Sequence, residues 1–190
     1  MEFLEVVNAR RSVRHYRQEA VSEEVLTKIL DAGRLAPTAG NLQPWEFIVI
    51  RGAEVKAQVV ACTYPGADIQ SPKTQSWINQ APVLVVVCID PTKSVAKYGT
   101  FGAEVAVLDG AAAMQSMILA AVAYGLGSCW VSGYRLEELK EVLQIPEHVQ
   151  PLGILPLGYP ASTSEARPKR TLSEIIHTET YVPRKPKEQN

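Results

Sequence analysis

Val83-Leu84-Val85-Val86-Val87-Cys88-Ile89 is a run of seven apolar, mostly β-branched residues with no polar side chain among them. Residues of this type fit the pleated, packed surface of a sheet. A run without polar alternation predicts a strand buried on both faces, hence a sheet with a packed layer on each side. Outward from it, Trp45-Glu46-Phe47-Ile48-Val49-Ile50 predicts a second core strand, Leu152 to Leu157 a further one, and Ser128 to Ser132 a short candidate.

Helical patterns stand between these strands. Phe3, Leu4 and Val7 form a short apolar stripe that ends near Ala9. Ser22 predicts an N-cap, with Glu23 and Glu24 at the positive end of the dipole and Val25, Leu26, Ile29 and Leu30 on one face; this helix stops before Pro37. Glu54 to Ala61 and Leu136 to Leu143 predict two more, and Ser71 to Asn79 a polar connection or short helix. Val105 to Tyr124 is the longest helical pattern, closed by Gly125 as a C-cap glycine would close it. Its apolar character is interrupted by Asp109, Gln115 and Ser116, which predicts a helix buried in a core or subunit interface rather than a membrane span. The stretch from Pro91 to Glu104 carries no clear pattern and is expected to face substrate or to move. Strands alternating with helices indicate an α/β or α+β three-layer arrangement around one sheet.

A chain of 190 residues, 46% hydrophobic and 21% charged, has the composition of one folded soluble domain. We take residues 1–190 as that domain, with residues 160–190 as a C-terminal extension ending in a frayed polar segment. The formal charge of −1 supplies no global field toward nucleic acid or an anionic membrane. Cys62, Cys88 and Cys129 are odd in number and widely spaced, which fits buried free thiols better than disulfides or a zinc site. Glu2, Glu5 and Arg10 stand where a signal peptide needs an apolar run, so a cytoplasmic protein is expected.

Neither a dinucleotide-binding glycine fingerprint nor a P-loop is present, and Gly125 and Gly127 lack the third glycine. His15, His148 and His177 lack metal-site spacing, and no nucleophile elbow occurs. If the protein is an enzyme, a bound cofactor carries the reaction. Two basic clusters remain. Arg10-Arg11-Ser12-Val13-Arg14 brings three guanidiniums and a hydroxyl together, and Arg167, Pro168, Lys169 and Arg170 lie near the other end of the chain. Guanidinium forks match phosphate oxygens, so the two clusters either converge on one phosphate or are separate solvated patches. Between them, Pro37 to Pro44 holds two prolines and a glycine among polar residues, the composition of a binding loop.

Arg10 to Arg14, then Ala36-Pro37-Thr38-Ala39-Gly40-Asn41-Leu42-Gln43-Pro44-Trp45, then Gly125-Leu126-Gly127-Ser128-Cys129-Trp130, resemble in order and spacing the nitroreductase family of FMN-dependent oxidoreductases. The likeness runs from about Phe3 to Ile176. The resemblance implies an α+β three-layer fold whose central, mainly antiparallel sheet is flanked by helices, in an intertwined homodimer with FMN at the subunit interface. By the same likeness Arg10, Arg11, Ser12 and Arg14 hold the phosphate, ribityl chain and pyrimidine edge, and Arg167, Lys169 and Arg170 complete the phosphate seat. Arg14, a cation near the N1/O2 edge, would tune the electronics of the ring. Pro37, Thr38 and Asn41 correspond to a loop that reaches the flavin of the other subunit, supported by Gln43. Trp130, Val131, Ser132 and Gly133 correspond to the segment beside the isoalloxazine, where backbone amides contact N5 and O4.

The implied activity is hydride transfer from NAD(P)H through flavin N5 to a small electrophile such as a nitroaromatic or quinone, donor and acceptor using one pocket in turn. No side chain is expected to act as a nucleophile, and neither a metal, a membrane nor nucleic acid is an expected partner. The alternatives are a flavin-binding protein without turnover and a flavin-consuming or dehalogenating relative. The Thr38-Ala39-Gly40 portion is smaller than the serine-containing loops common in the family.

Overall fold

The computed structural model describes residues 1–162 and 165–183. The expected polar end at residues 184–190 lies outside them. Four strands, β1 (Trp45–Ile50), β2 (Val83–Ile89), β3 (Gly127–Ser128) and β4 (Gln150–Gly158), form an antiparallel sheet in the order β1-β2-β4-β3. Six helices accompany it among the described residues: α1 (Phe3–Ala9), α2 (Glu23–Arg34), α3 (Ala53–Ala61), α4 (Thr92–Tyr98), α5 (Phe101–Ala123) and α6 (Leu136–Leu143).

The two-residue period of β2 builds the layers. No residue of β2 is more than 2% exposed. Leu84, Val86 and Cys88 pack with Val59 and Val60 of α3 and Leu139 of α6, while Val83, Val85 and Val87 pack with Leu26 and Ile29 of α2 and Met114 and Met117 of α5. The result is the α+β three-layer arrangement, with α3 and α6 on one face of the sheet and α2 and α5 on the other.

Local signals act as expected at several ends. Ser22 caps α2 by accepting from the Val25 amide at 3.2 Å, and α2 stops at Arg34, before Pro37. Helix α5 ends at Ala123, and Gly125 comes two residues later with φ 77°. Two local expectations differ, and a third is met by a short helix. Residues 91–104 are mostly helical: α4 occupies Thr92–Tyr98, the chain breaks at Gly99 and Thr100, and α5 begins at Phe101. Mixed polar composition hid α4, whose short turns draw little on apolar periodicity. Of the Ser128–Ser132 candidate, only Ser128 belongs to a strand; Val131 makes an isolated bridge to Ile154, and Cys129 and Trp130 between them are in no strand. The polar connection at residues 71–79 contains a 3-10 turn, Ser76–Gln80, which buries Ile78.

Helix α5 is long and apolar enough by composition to cross a membrane. Its burial of Ala106, Ala113, Met114, Met117 and Ala121 beside the sheet accounts for that character as core packing. Val107 and Leu108, however, are exposed, the latter at 67%.

The N-terminal segment after α1 is laced to the opposite edge of the sheet. Val13 donates its amide to Ser128 O at 2.9 Å, Arg17 donates to Tyr159 O at 2.8 Å, and Ala161 donates to His15 O at 2.9 Å. The Tyr16 hydroxyl, buried in the same run, donates to Val13 O at 2.7 Å. Val13 comes this close because Gly127 has no side chain: a Cβ there would lie 2.5 Å from Val13 Cγ2 and 2.7 Å from Val13 Cβ.

This packing sets two measurable outcomes. Gly127→Ala forces a stiff β-branched neighbour outward, at a cost of about 2 kcal/mol. Scanning calorimetry should show Tm falling by about 4–8 °C for a chain of this size; an unchanged Tm would show that the edge is loose. Burial also pushes up all three thiols, Cys88 to about 12, and Cys62, Cys88 and Cys129 are free. The native protein should therefore resist a thiol reagent at pH 8 and become fully reactive on unfolding.

Candidate functional site

Arg10 is the C-cap of α1, its amide donating to Val6 O at 3.1 Å. Arg11 turns back on the same helix: its Nη1 donates to Asn8 O at 2.6 Å and to Arg10 O at 2.9 Å, satisfying carbonyls at the open C-terminal end. Its Nε is buried with no hydrogen-bond partner among the described residues. Ser12 forms a parallel bridge with Ser128, and the extended backbone then sends Val13 into the core and leaves Ser12 and Arg14 on the outward side. The Arg14 guanidinium stands over the Trp77 ring, 5.7 Å from its centroid.

Beneath this run lies Cys129. Burial raises its thiol pKa, against the opposing influence of the Arg14 charge, a hydrogen bond from Ser12 and the Arg10 charge. The Ser128 hydroxyl is also buried without a partner among the described residues.

The second basic cluster closes on the same space. Arg10, Arg11, Ser12, Arg14, Arg167 and Lys169 line one cavity of about 1110 Å³, with Glu165 in its wall. Five cationic side chains against one carboxylate make this an anion site, and its volume is ample for a nucleotide-sized ligand. The structure thus brings the first cluster together with Arg167 and Lys169 of the second around one cavity. Arg170 is exposed and lies outside that lining. The orphaned Arg11 Nε and the density of guanidinium donors suit a phosphate, so the residues present fit the phosphate end of FMN.

Pro37, Thr38, Asn41 and Gln43 do not line the cavity. Their loop carries a 3-10 turn, Ala39–Asn41, in which Gly40, Asn41 and then Gln43 take φ values of 59°, 56° and 50°. Left-handed backbone at two non-glycine residues is uncommon, and Gln43 has less local compensation than asparagine. Side chains hold the shape: the Gln43 amide donates to Thr38 Oγ1 at 3.3 Å, and Gln43 Nε2 donates to Asn41 Oδ1 at 3.2 Å. The Ala39 amide donates to both carboxylate oxygens of Asp109 on α5, at 3.1 and 3.3 Å. Gly40 lies against Lys97 and Tyr98 of α4, where a Cβ would collide with the Lys97 ammonium and the Tyr98 hydroxyl.

The third group, Trp130 to Gly133, also lies outside the cavity lining. Val131 exchanges two hydrogen bonds of 2.9 Å with Ile154, so its amide is committed to the sheet. Trp130 packs over Gly153, and the Gly133 carbonyl accepts from the Tyr64 amide at 3.0 Å and from Gln75 Nε2 at 3.3 Å. Among the described residues, no three His, Cys, Asp or Glu side chains are grouped to hold a metal.

Several supporting residues were not singled out from sequence. Trp77, Gln75, Lys97 and Tyr98 sit in segments without periodicity, and nothing in their local sequence marks them. Asp109 did carry a signal, as the one charged residue between Glu104 and Tyr124.

The model of the nitroreductase family matches residues 7–159. Arg167 and Lys169 therefore lie beyond the matched segment, although they share its cavity. A protein of Methanothermobacter thermautotrophicus with the provisional name NADH dehydrogenase/NAD(P)H nitroreductase is 36% identical over 171 residues, covering 88% of this chain and 82% of its own. The FMN reductase (NAD(P)H) of Bacillus subtilis is 29% identical over 195 residues, covering 95% of this chain and 75% of its own. Among solved structures, a nitroreductase family protein from Clostridium difficile superposes with a TM-score of 0.80 at 30% identity, covering 95% of this chain and all of the other. Sequence and fold agree over most of the chain, which belongs to the nitroreductase family.

Proposed function

We propose that this protein is an FMN-dependent oxidoreductase that takes hydride from NAD(P)H and delivers it to a small electrophile such as a nitroaromatic or quinone. The observation that carries the reading is the meeting of two basic clusters, from opposite ends of the chain, in one cavity of about 1110 Å³. Family membership and the names of the relatives support an NAD(P)H-using flavin enzyme.

Bound FMN would supply reversible hydride acceptance at its N5 atom. The chain's own residues bind and orient it. Arg10 and Arg167 approach the phosphate from two sides, with Lys169 beside them, and each charge-assisted hydrogen bond is worth about 1.5–3 kcal/mol. Arg11 gives one arm of its fork to α1 and keeps its buried Nε for the ligand. Ser12 adds a hydroxyl, and Arg170 reinforces the positive field from outside. Arg14, braced by Trp77, presents a fixed cation to the pyrimidine edge of the ring. Because Val131 spends its amide on Ile154, the amides of Trp130, Ser132 and Gly133, which have no backbone acceptor among the described residues, are the ones to meet the ring.

Pro37, Thr38, Asn41 and Gln43 are assigned to the flavin of a second copy. Phe3, Leu4, Leu35, Phe101 and Leu108 are each more than 60% exposed, and Ile175, Ile176, Tyr181 and Val182 add to them in the C-terminal segment. So much exposed apolar surface suits a homodimer interface that brings that loop to its partner's cofactor. The whole chain then acts as one flavin-binding domain, with the segment from residue 160 as an arm. Buried free thiols suit a reducing, cytoplasmic setting.

Purified protein should be yellow and should bleach under NADH or NADPH without oxygen, colour returning on addition of an acceptor. Protein that takes up no FMN contradicts the reading; protein that holds FMN but is reduced by neither nicotinamide is a flavin carrier without turnover. Arg10→Ala and Arg167→Ala should each weaken FMN binding about 10- to 100-fold, the loss of one charge-assisted bond. Both should move Tm of the FMN-free protein by no more than about 2 °C, because Arg167 is exposed and Arg10 is only half-buried outside the core. Unchanged FMN retention in both variants would show that the phosphate lies elsewhere.

A further inference from the structure

We infer that Asp109 is a positioning residue of the flavin site, holding the Pro37–Pro44 loop in its ligand-contacting shape from the middle of α5. The inference rests on the assignment of that loop to a bound flavin.

Asp109 is 8% exposed and is the one charged side chain between Glu104 and Tyr124. A buried carboxylate is strongly unfavourable unless hydrogen bonds satisfy it. Here both oxygens converge on a single backbone donor, the Ala39 amide, at 3.1 and 3.3 Å. That amide opens the 3-10 turn Ala39–Asn41, whose N-cap Thr38 makes no side-chain cap; its Oγ1 accepts from Gln43 instead. Asp109 therefore does for this turn what an N-cap side chain normally does, from a different element 70 residues away.

The bond matters because the loop beyond Ala39 is held in sparsely populated backbone. Gly40, Asn41 and Gln43 all have positive φ, and a backbone in this region persists only where its surroundings over-determine it. Asp109 fixes the entry to the turn, Lys97 and Tyr98 cover Gly40, and Gln43 braces Asn41. Of these contacts, Asp109 is the buried one. With the carboxylate gone, the Ala39 amide loses its acceptor and the turn can relax toward ordinary backbone, carrying Thr38 and Asn41 away from the geometry they present.

The test uses the full-length protein with FMN and three variants. Asp109→Ala removes the acceptor, and Asp109→Asn keeps one oxygen for the Ala39 amide. Ala39→Pro removes the donor and leaves Asp109 in place; Thr38, at φ −136° and ψ 150°, already has the extended backbone that precedes proline. Asp109→Ala and Ala39→Pro should each weaken FMN binding by about tenfold or more, and the double variant should be no worse than the weaker single, because both remove one bond. Asp109→Asn should remain within about threefold of the parent. Folded Asp109→Ala or Ala39→Pro protein with parental FMN affinity and parental KM for the acceptor overturns the inference, as does full additivity in the double variant. If Asp109→Ala does not fold, Ala39→Pro and Asp109→Asn decide alone. A parent protein that binds no FMN would instead overturn the functional reading, while faster hydrogen exchange at the Ala39 amide in Asp109→Ala would still report the contact.

Discussion

A strand with no exposed residue cannot be an edge and cannot face water on either side. Val83–Ile89 imposes that condition on the rest of the chain. Burial of each such side chain contributes about 1.5–3 kcal/mol, but only if apolar cover is supplied on both faces. Helices α3 and α6 cover one side, α2 and α5 the other, and β1 and β4 take its two hydrogen-bonding edges. With those edges occupied, the remaining open edge of β4 is where the short β3 and the N-terminal segment attach. The arginine cluster is placed by this order of needs: it sits at the sheet's far edge because the centre admits nothing polar.

Its placement there is sterically specific. Val13 enters the core against a glycine and donates to Ser128, and alternation then leaves Ser12 and Arg14 outward. Arg11 is diverted in part to the end of α1, and Arg14 is steadied by Trp77. The three guanidiniums are therefore unequal in freedom. Arg10 is the least engaged, Arg14 is oriented by a ring, and Arg11 shares its donors between helix and cavity. Holding long side chains in advance of a ligand reduces the rotamer entropy lost on binding.

The core was legible because burial leaves a compositional mark: the apolar run of β2, the Ser22 cap and the glycine after α5 all state their own geometry. The basic cavity was legible as chemistry but not as place, since the meeting of Arg10 with Arg167 depends on the whole fold between them. The short or irregular pieces were not legible. Residues 92–98 form a helix with mixed polar character, and Ser128 to Ser132 looks like a strand although tertiary pairing takes only Ser128 and Val131 of it. The positive φ at Gln43 could not be foreseen, because glutamine does not announce left-handed backbone as glycine or asparagine does. The layered fold comes from periodicity; the family does not, and rests on the three motifs occurring in register.

The proposed site has one half built on the sheet edge and another on a loop in left-handed backbone, and that loop does not line the cavity. If the second half serves a partner's cofactor, ligand binding and association are one equilibrium. A ligand held by both copies binds the dimer better than the monomer, so it stabilises the dimer by an amount that grows with the logarithm of ligand concentration over Kd. The same linkage gives the exposed apolar faces of α1 and α5 a reason beyond solubility: they need not be strongly self-adhesive, because the cofactor adds to their affinity. A loop in sparsely populated backbone then has a further use. It is costly to form by chance, so it is present only where α4 and α5 hold it, and those helices join the core to the proposed interface.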